Sequence, residues 1–180
     1  MGIIGAFLVL PPPIALTQNT SRPYLDNGAR RLTSTADTVF AMQVSQGGLA
    51  EVQLGHLAVS KATSPAVRQF GQRMIDDHSN ADDRLKQIAQ QENMTLPATM
   101  NPKDQALYDK LQMLSGPQFD KTYIKAMVKR HQEDVKEFQK EASKGKDQAL
   151  KSFASQTLPI LQGHLSDAKS AFAQVGSTGY

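Results

Sequence analysis

The chain has 180 residues, a length that fits one domain, and 39% of them are hydrophobic, which is enough for the core of one helical domain. Its 20 basic and 17 acidic residues are interspersed and leave a net charge of only +3, which argues against a nucleic-acid-binding protein. The absence of cysteine excludes disulfides, a cysteine-based zinc site, iron–sulfur ligation and a thiol nucleophile.

The N-terminal 34 residues divide into an apolar part and a polar part. Residues 1–16 contain an apolar run over 3–10 that is too short to cross a bilayer, which takes about 20 residues. This run is typical of a secretory signal, although no basic residue precedes it, and the alternative is a segment that contacts a membrane surface or a partner. Residues 17–34 lack any period and are predicted to form an extended polar arm. The sequence therefore favours an exported protein.

Apolar residues at spacings of three and four predict an all-α fold over residues 35–175, and no stretch shows a strand pattern. Ser34, followed by Asp37 three residues later, is a helix-start signal. The first helix should stop near Ser64, where Ser64-Pro65 is typical of an N-cap followed by the first position of the next helix. The second helix should end before Leu96.

Similar start and stop signals predict the bounds of the remaining helices. Asn101 opens a short helix in the connector, and Gly116-Pro117 begins the third long helix. Gly145 is predicted as the C′ residue that ends it. The fourth long helix runs over 147–175, with Pro159 inside it, and leaves a tail at 176–180. Four long helices with short first and third turns predict an up-down-up-down four-helix bundle with a short extra helix between helices two and three.

Three of the four histidines lie on the apolar stripes of three different helices: His78, His131 and His164. Glu51 lies on the stripe of the first helix, 13 residues before Ser64, while His78 lies 14 residues after it, so that both sit about 20 Å from that turn. His131 and His164 lie 14 and 19 residues from Gly145, a mismatch of about 7 Å that a bend or tilt can absorb. The four side chains are therefore expected to converge in one buried layer.

Two methionines accompany the histidines, because Met74 and Met127 each precede a histidine by four residues and share its helix face. Imidazole suits zinc, copper and iron, and thioether favours Cu(I), so the set Glu51, His78, His131, His164, Met74 and Met127 is a candidate site for one transition-metal ion. The alternative is a metal-free network in which a neutral imidazole is hydrogen-bonded to Glu51 or Asp77, with both methionines filling the core.

Other polar features have simpler interpretations. His56 lies on a different stripe and is expected at the surface or its boundary. Gly47-Gly48 inside the first helix predicts close packing, because glycine costs about 1 kcal/mol there relative to alanine. A helix patch of four carboxylates is expected to be solvated: Asp76, Asp77, Asp82 and Asp83. The chain has no glycine-rich phosphate loop and no G-x-S-x-G elbow, so no catalytic residue is predicted.

Five stretches resemble a bacterial family, the domain-of-unknown-function family 4142 of the ferritin-like superfamily: GLAEVQLGHLA (48–58), FGQRMIDDH (70–78), LSGPQFDKTY (114–123), MVKRH (127–131) and LPILQGH (158–164). The resemblance implies an exported, mostly periplasmic four-helix bundle, and it implies no established activity. Di-iron proteins of that superfamily use Glu-x-x-His on two helices. Here Ile75 and Leu161 stand three residues before His78 and His164, so a ferritin-type di-iron centre is not expected.

Two classes of function fit these observations. The first is a non-catalytic accessory or binding subunit that docks on a membrane-associated periplasmic enzyme complex, such as a redox complex, which the apolar N-terminus and the missing catalytic residues favour. The second is a metal-binding or metal-dependent redox protein that uses the histidine-rich layer. Stoichiometric metal bound to the purified protein would favour the second class, whereas co-purification with a larger enzyme and no metal would favour the first.

Overall fold

The computed structural model describes residues 34–177 and confirms the all-α prediction, with no strand in that range. The four long helices are α1 (Thr35–Lys61), α2 (Pro65–Gln91), α4 (Gly116–Lys144) and α5 (Gln148–Ser177). The short helix α3 (Pro102–Gln112) lies in the connector between α2 and α4, as predicted. Helix α5 ends at Ser177, two residues beyond the predicted end. Residues 1–33 and 178–180, which include the predicted apolar segment, most of the polar arm and the rest of the tail, lie outside the described residues.

Hydrogen bonds from side chains fix where the helices begin. The hydroxyl of Ser34 accepts from the backbone N–H of Asp37, and the side chain of Asn101 accepts from the N–H of Asp104, as N-caps do. Ser64 is the N-cap of α2, as predicted, although its side chain makes no capping hydrogen bond. The carboxylate of Asp120 on α4 accepts from the N–H of Ser64 at 2.8 Å instead, and thereby ties the α1–α2 turn to α4.

The α4–α5 turn contains a glycine because there is no room for a side chain, and not because the backbone takes a left-handed conformation. Gly145 has φ −54°, so the left-handed C′ geometry predicted for it is wrong. A Cβ at this position would lie 2.6 Å from the carbonyl oxygen of Glu141, which explains the need for glycine. The buried carboxylate of Asp37 accepts the N–H of Asp147 at 2.8 Å and so connects the start of α1 to this turn.

Two apolar clusters occupy opposite ends of the helices and leave a polar layer between them. The first cluster is built around Leu54, Phe70, Met74, Phe119, Tyr123 and Met127, and the second around Phe40, Leu85, Phe138, Phe153 and Leu161. Along each long helix, the predicted layer residue falls between the members of the two clusters. Burial of these apolar clusters is the main source of stability, and it offsets the free-energy cost of burying the polar layer between them. Within the described range, no helix is both long and apolar enough to cross a bilayer.

Glycines bring α1 and α2 close together. A Cβ on Gly55 would lie 2.7 Å from the carbonyl oxygen of Gly71 and 2.9 Å from a side-chain carbon of Ile75. Since the obstacle is backbone of the facing helix, no rotamer change can relieve it.

We therefore expect Gly55→Ala to lower the free energy of unfolding by about 1–2 kcal/mol. Overpacking against a backbone that cannot move aside falls in the upper part of the usual range, about 2–3 kcal/mol, and helix propensity returns about 1 kcal/mol. The matched control is Gly163→Ala on α5, where the nearest atom is the flexible end of Arg73 at 3.4 Å. That control is expected to raise stability by up to about 1 kcal/mol. Urea denaturation followed by circular dichroism measures both variants, and equal stability of the two would contradict the close contact.

Candidate metal centre

The polar layer brings together the four residues that the helical periodicity placed in register. Glu51, His78, His131 and His164 come from α1, α2, α4 and α5, and all four are buried. The three imidazole rings lie 5.2–6.0 Å apart between centroids, and each ring offers one nitrogen within 4.8 Å of those of the other two. The mismatch of about 7 Å expected from residue counting therefore does not separate His131 from His164.

The His131 ring is fixed by the turn of helix that precedes it. Its Nδ1 lies 2.9 Å from the backbone carbonyl oxygen of Met127. Because a carbonyl can only accept, Nδ1 carries the hydrogen and donates it, which leaves a lone pair on Nε2. That Nε2 is buried and has no hydrogen-bond partner. Burial lowers the pKa of His131, so the ring is neutral at neutral pH.

The His164 ring is oriented by a carboxylate from a different helix. Its Nε2 lies 2.7 Å from Oδ2 of Asp77 on α2, while its Nδ1 is buried without a hydrogen-bond partner. Burial opposes ionisation of Asp77, but hydrogen bonds from His164 and Arg73 outweigh it and hold the pKa of Asp77 below its ordinary value. The ionised carboxylate accepts from Nε2–H, so the lone pair of His164 is on Nδ1. Burial lowers the pKa of His164 to about 4, which keeps this ring neutral as well.

His78 differs from the other two because it faces a buried carboxylate. Its Nε2 lies 2.9 Å from Oε2 of Glu51, an ion-pair distance that lacks the angle of a good hydrogen bond. Burial acts against protonation of His78, but the charge of Glu51 outweighs it and raises the pKa of His78. Burial also opposes ionisation of Glu51, yet the charge and hydrogen bonding of His78, together with the charge of Arg130, hold the pKa of Glu51 below its ordinary value.

Arg130 supplies the second positive charge next to Glu51. Its Nε lies 3.5 Å from Oε1 of Glu51, and its other two nitrogens bind both oxygens of Asp104 at 2.6 and 3.1 Å. Bidentate pairing of this kind holds a guanidinium in one orientation. The first residues of α3, to which Asp104 belongs, thus help to position the charge that faces the layer. Gly47 makes room for Arg130, since a Cβ there would lie 2.9 Å from Nη2.

Two further carboxylates lie beside the layer and were missed by sequence reasoning. Burial and the charge of Glu51 raise the pKa of Asp134 to about 8, so this side chain is protonated at neutral pH when the layer is metal-free. Burial raises the pKa of Asp82 to about 6. The prediction of a solvated acidic patch is therefore wrong for Asp82, which is buried against Gly48, and for Asp77, which pairs with His164. The Gly47-Gly48 pair thus accommodates charged side chains rather than a helix backbone.

The other predicted residues are placed as follows. Met74 and Met127 are fully buried in the first apolar cluster, and the contact that Met127 makes with the histidines is through its backbone carbonyl. His56 is exposed, as expected for a histidine outside the layer. Asp134 is three residues after His131, on the same helix face, and this spacing is the signal that could have added it to the candidate set.

The layer has the features of a prepared cation site. Two neutral imidazoles present lone pairs that no hydrogen bond satisfies. The His78 imidazole lies within ligand reach of both, and the Glu51 carboxylate lies within ligand reach of His131. Metal-binding histidines are commonly oriented by a carboxylate or carbonyl on the other ring nitrogen, and Asp77 and the Met127 carbonyl occupy those positions. Three imidazole nitrogens and a carboxylate oxygen suit zinc, copper or iron.

Fold and site together define a helical protein with a buried layer of three histidines and one glutamate. The family described as "Domain of unknown function (DUF4142)" matches residues 25–171, and the chain belongs to this family. No curated protein sequence matches the chain.

Two solved structures share the fold. A DUF305 fragment from Deinococcus radiodurans has a TM-score of 0.70 at 11% identity, over 79% of this chain and 98% of that one. CopM in a Cu(II)-bound form has a TM-score of 0.65 at 17% identity, over 77% of this chain and 96% of that one. At these identities, both likenesses concern the fold alone.

Proposed function

We propose that this protein binds one transition-metal ion in the buried layer, with His78, His131 and His164 as nitrogen ligands and Glu51 as the carboxylate partner. The observation that carries the proposal is the pair of buried, unsatisfied lone pairs on Nε2 of His131 and Nδ1 of His164. Leaving such groups unpaired costs about 1–3 kcal/mol each, a cost that a cation would offset. A purely structural role does not explain these unpaired nitrogens, since apolar side chains of similar volume would fill the core without that cost.

The ion-pair network gives the same residues a defined metal-free state. Glu51 is balanced by His78 and Arg130, so the layer does not hold an isolated buried charge when it is empty of metal. A metal ion that binds His78 displaces the proton that Glu51 stabilises there, so that binding is linked to proton release. Copper is the first ion to test, because nitrogen sites bind Cu²⁺ more tightly than the other divalent ions of the series and because a structural neighbour, CopM, has a Cu(II)-bound form.

The test is a metal titration of the full chain. After treatment with a chelator, the protein is mixed with Cu²⁺ or Zn²⁺, gel-filtered, and its bound metal is measured by mass spectrometry. We expect about one ion per chain, since one set of three histidine ligands is available. The control is His56→Ala, which removes an exposed histidine and is expected to keep full stoichiometry, whereas His164→Ala should lose the ion. Retention of no metal by the wild type, or the same amount by both variants, would contradict the proposal.

The chain's other predicted roles rest on the sequence and the family resemblance. We propose export to the periplasm and docking on a protein partner, such as a membrane-associated enzyme complex, as the context in which the metal site works. Support comes from the apolar run at 3–10 and from the absence of a catalytic motif. The finer fold prediction, a ferritin-like up-down-up-down bundle, is supported by the four long helices that each direct one polar residue into the same layer.

A further inference from the structure

A cleft of about 200 Å³ connects the surface to the buried layer. Its walls include the buried residues Glu51 and His78 and the exposed residues Glu133 and Glu137, so it extends from solvent to the candidate ligands. Gly47 and Gly48 form part of one wall, where larger residues would meet Arg130 and Asp82. A cation that reaches the three histidines through this cleft first passes its acidic side chains.

The charge of the cleft favours cations. Two basic side chains, Lys103 and Arg130, face a larger set of carboxylates along its walls: Glu51, Asp82, Asp104, Glu133, Asp134 and Glu137. Clefts lined by one sign of charge concentrate the oppositely charged ion and raise association rates. Acidic residues alone do not define a binding position, so the position depends on the atoms that lack partners.

Three such atoms lie close together, and two of them belong to residues that line the cleft, Glu51 and Asp134. Glu51, His131 and Asp134 each offer one ligand atom within 4.8 Å of the others, and Oε1 of Glu51, Nε2 of His131 and Oδ2 of Asp134 are all buried without a hydrogen-bond partner. The Glu51 side chain is only 2% exposed. Because Nδ1 of His131 is bound to the Met127 carbonyl, Nε2 is its free nitrogen for both this set and the three-histidine set. One lone pair cannot bind two ions, so the two sets are alternative positions of a single ion.

We propose that Glu51, His131 and Asp134 form the entry position at which a divalent transition-metal cation is bound before it passes to His78, His131 and His164. This inference rests on the proposed metal-binding function. On arrival, the ion is bound by Oε1 of Glu51, Nε2 of His131 and Oδ2 of Asp134. His131 then keeps its bond to the ion while Asp134 is exchanged for His78 and His164, and any proton that a ligand atom carries is released to solvent through the cleft in either step.

Arg130 explains why the entry position is not the final one. Its guanidinium lies 3.5 Å from Oε1 of Glu51, so one of the two carboxylates already has a positive neighbour. Electrostatic repulsion between the guanidinium and a metal ion therefore weakens cation binding next to Arg130. The neutral rings of His131 and His164 carry no such charge, which favours transfer of the ion deeper into the layer.

The test separates the rate of metal loading from the affinity. Metal-free full-length protein is mixed with Cu²⁺ in a stopped-flow instrument, and the association rate constant and the equilibrium Kd are measured for wild type and Asp134→Asn. We expect Asp134→Asn to lower the association rate constant about tenfold, because a neutral amide replaces the carboxylate that binds the ion at the entry position, and to slow release in proportion, so that Kd changes little. Asp134→Glu, which restores a carboxylate, should recover the rate and controls for misfolding.

The matched control is Glu133→Gln, which removes one surface charge of the same cleft but no donor atom, and should therefore lower the rate by no more than about twofold. An unchanged association rate constant in Asp134→Asn would overturn the entry position. A slower association with an unchanged release rate, which raises Kd by the same factor, would also overturn it, since Asp134 would then be a ligand of the final site. If the wild type itself takes up no Cu²⁺, the proposed metal-binding function fails first, and this outcome is distinct from the other two.

Discussion

Replacing Glu51 with alanine is expected to destabilise the metal-free protein by about 3–5 kcal/mol, the cost of removing one partner from a buried ion pair. The Glu51 side chain is 2% exposed and faces His78 at 2.9 Å and Arg130 at 3.5 Å, so its loss leaves two buried cationic groups without their anion. Arg130 cannot lose its proton, and Asp104 then balances it alone. Urea denaturation in the presence of a chelator measures the change.

The control is Glu133→Ala, whose ion pairs with Lys103 and Lys129 are exposed and which should change stability by less than about 0.5 kcal/mol. The raised pKa of His78 should also fall in Glu51→Ala, because the charge of Glu51 is what raises it. Histidine proton shifts followed by NMR against pH give that second measurement. A variant with wild-type stability and an unchanged His78 pKa would show that Glu51 is not the counter-ion of the layer.

Helix positions could be predicted from the sequence because they depend on local signals. The stripes of apolar residues defined all four long helices, and Ser34 and Asn101 cap α1 and α3 with the bonds that their positions suggest. The Ser64 and Gly145 signals gave the correct turn locations, and Ser64 is the predicted N-cap, but the left-handed geometry predicted for Gly145 is wrong. In both turns a carboxylate from a distant helix, Asp120 or Asp37, receives the free backbone N–H groups, and no local pattern encodes such a contact.

The layer residues could also be predicted. Glu51, His78 and His131 lie at nearly equal distances from a turn, which places residues on antiparallel neighbours at one level, whereas His164 could be assigned only from its apolar stripe. The residues that orient these four side chains could not be predicted from the sequence. Asp77 belongs to a run of carboxylates that resembles a solvated patch, and only the packing of α5 beside α2 shows that it faces His164. Arg130 is next to His131 in sequence, yet its role depends on Asp104 at the start of α3, 26 residues away.

Such contacts also explain why the choice between the two interpretations of the histidines required a structure. The sequence allowed a metal site or a hydrogen-bonded network, and the structure contains parts of both. Glu51 and His78 form the ion pair of the network, while Nε2 of His131 and Nδ1 of His164 are buried without a hydrogen-bond partner. Under the proposed function, the two descriptions correspond to the metal-free and metal-bound states of the same residues.

Copper is expected to stabilise the wild type strongly and His131→Gln only weakly. A ligand that binds only the folded state at 1,000 times its Kd raises the free energy of unfolding by about 4 kcal/mol. His131 provides the nitrogen common to both ligand sets, so its loss should weaken binding by at least about 100-fold, more than most changes outside the ligands. At the same Cu²⁺ concentration, the stabilisation of His131→Gln then falls to about 1.4 kcal/mol or less.

Asp77→Asn provides a graded comparison, because it leaves every proposed ligand in place and removes only the carboxylate that orients His164. Loss of such a partner costs about 10–100-fold in affinity, and a tenfold loss leaves about 2.7 kcal/mol of the stabilisation. Each variant is compared with its own metal-free form in urea titrations, so that its intrinsic stability cancels. The expected order of copper stabilisation is wild type, then Asp77→Asn, then His131→Gln. Equal stabilisation of all three proteins would place the bound copper outside the histidine layer, at exposed side chains that do not depend on His131 or Asp77.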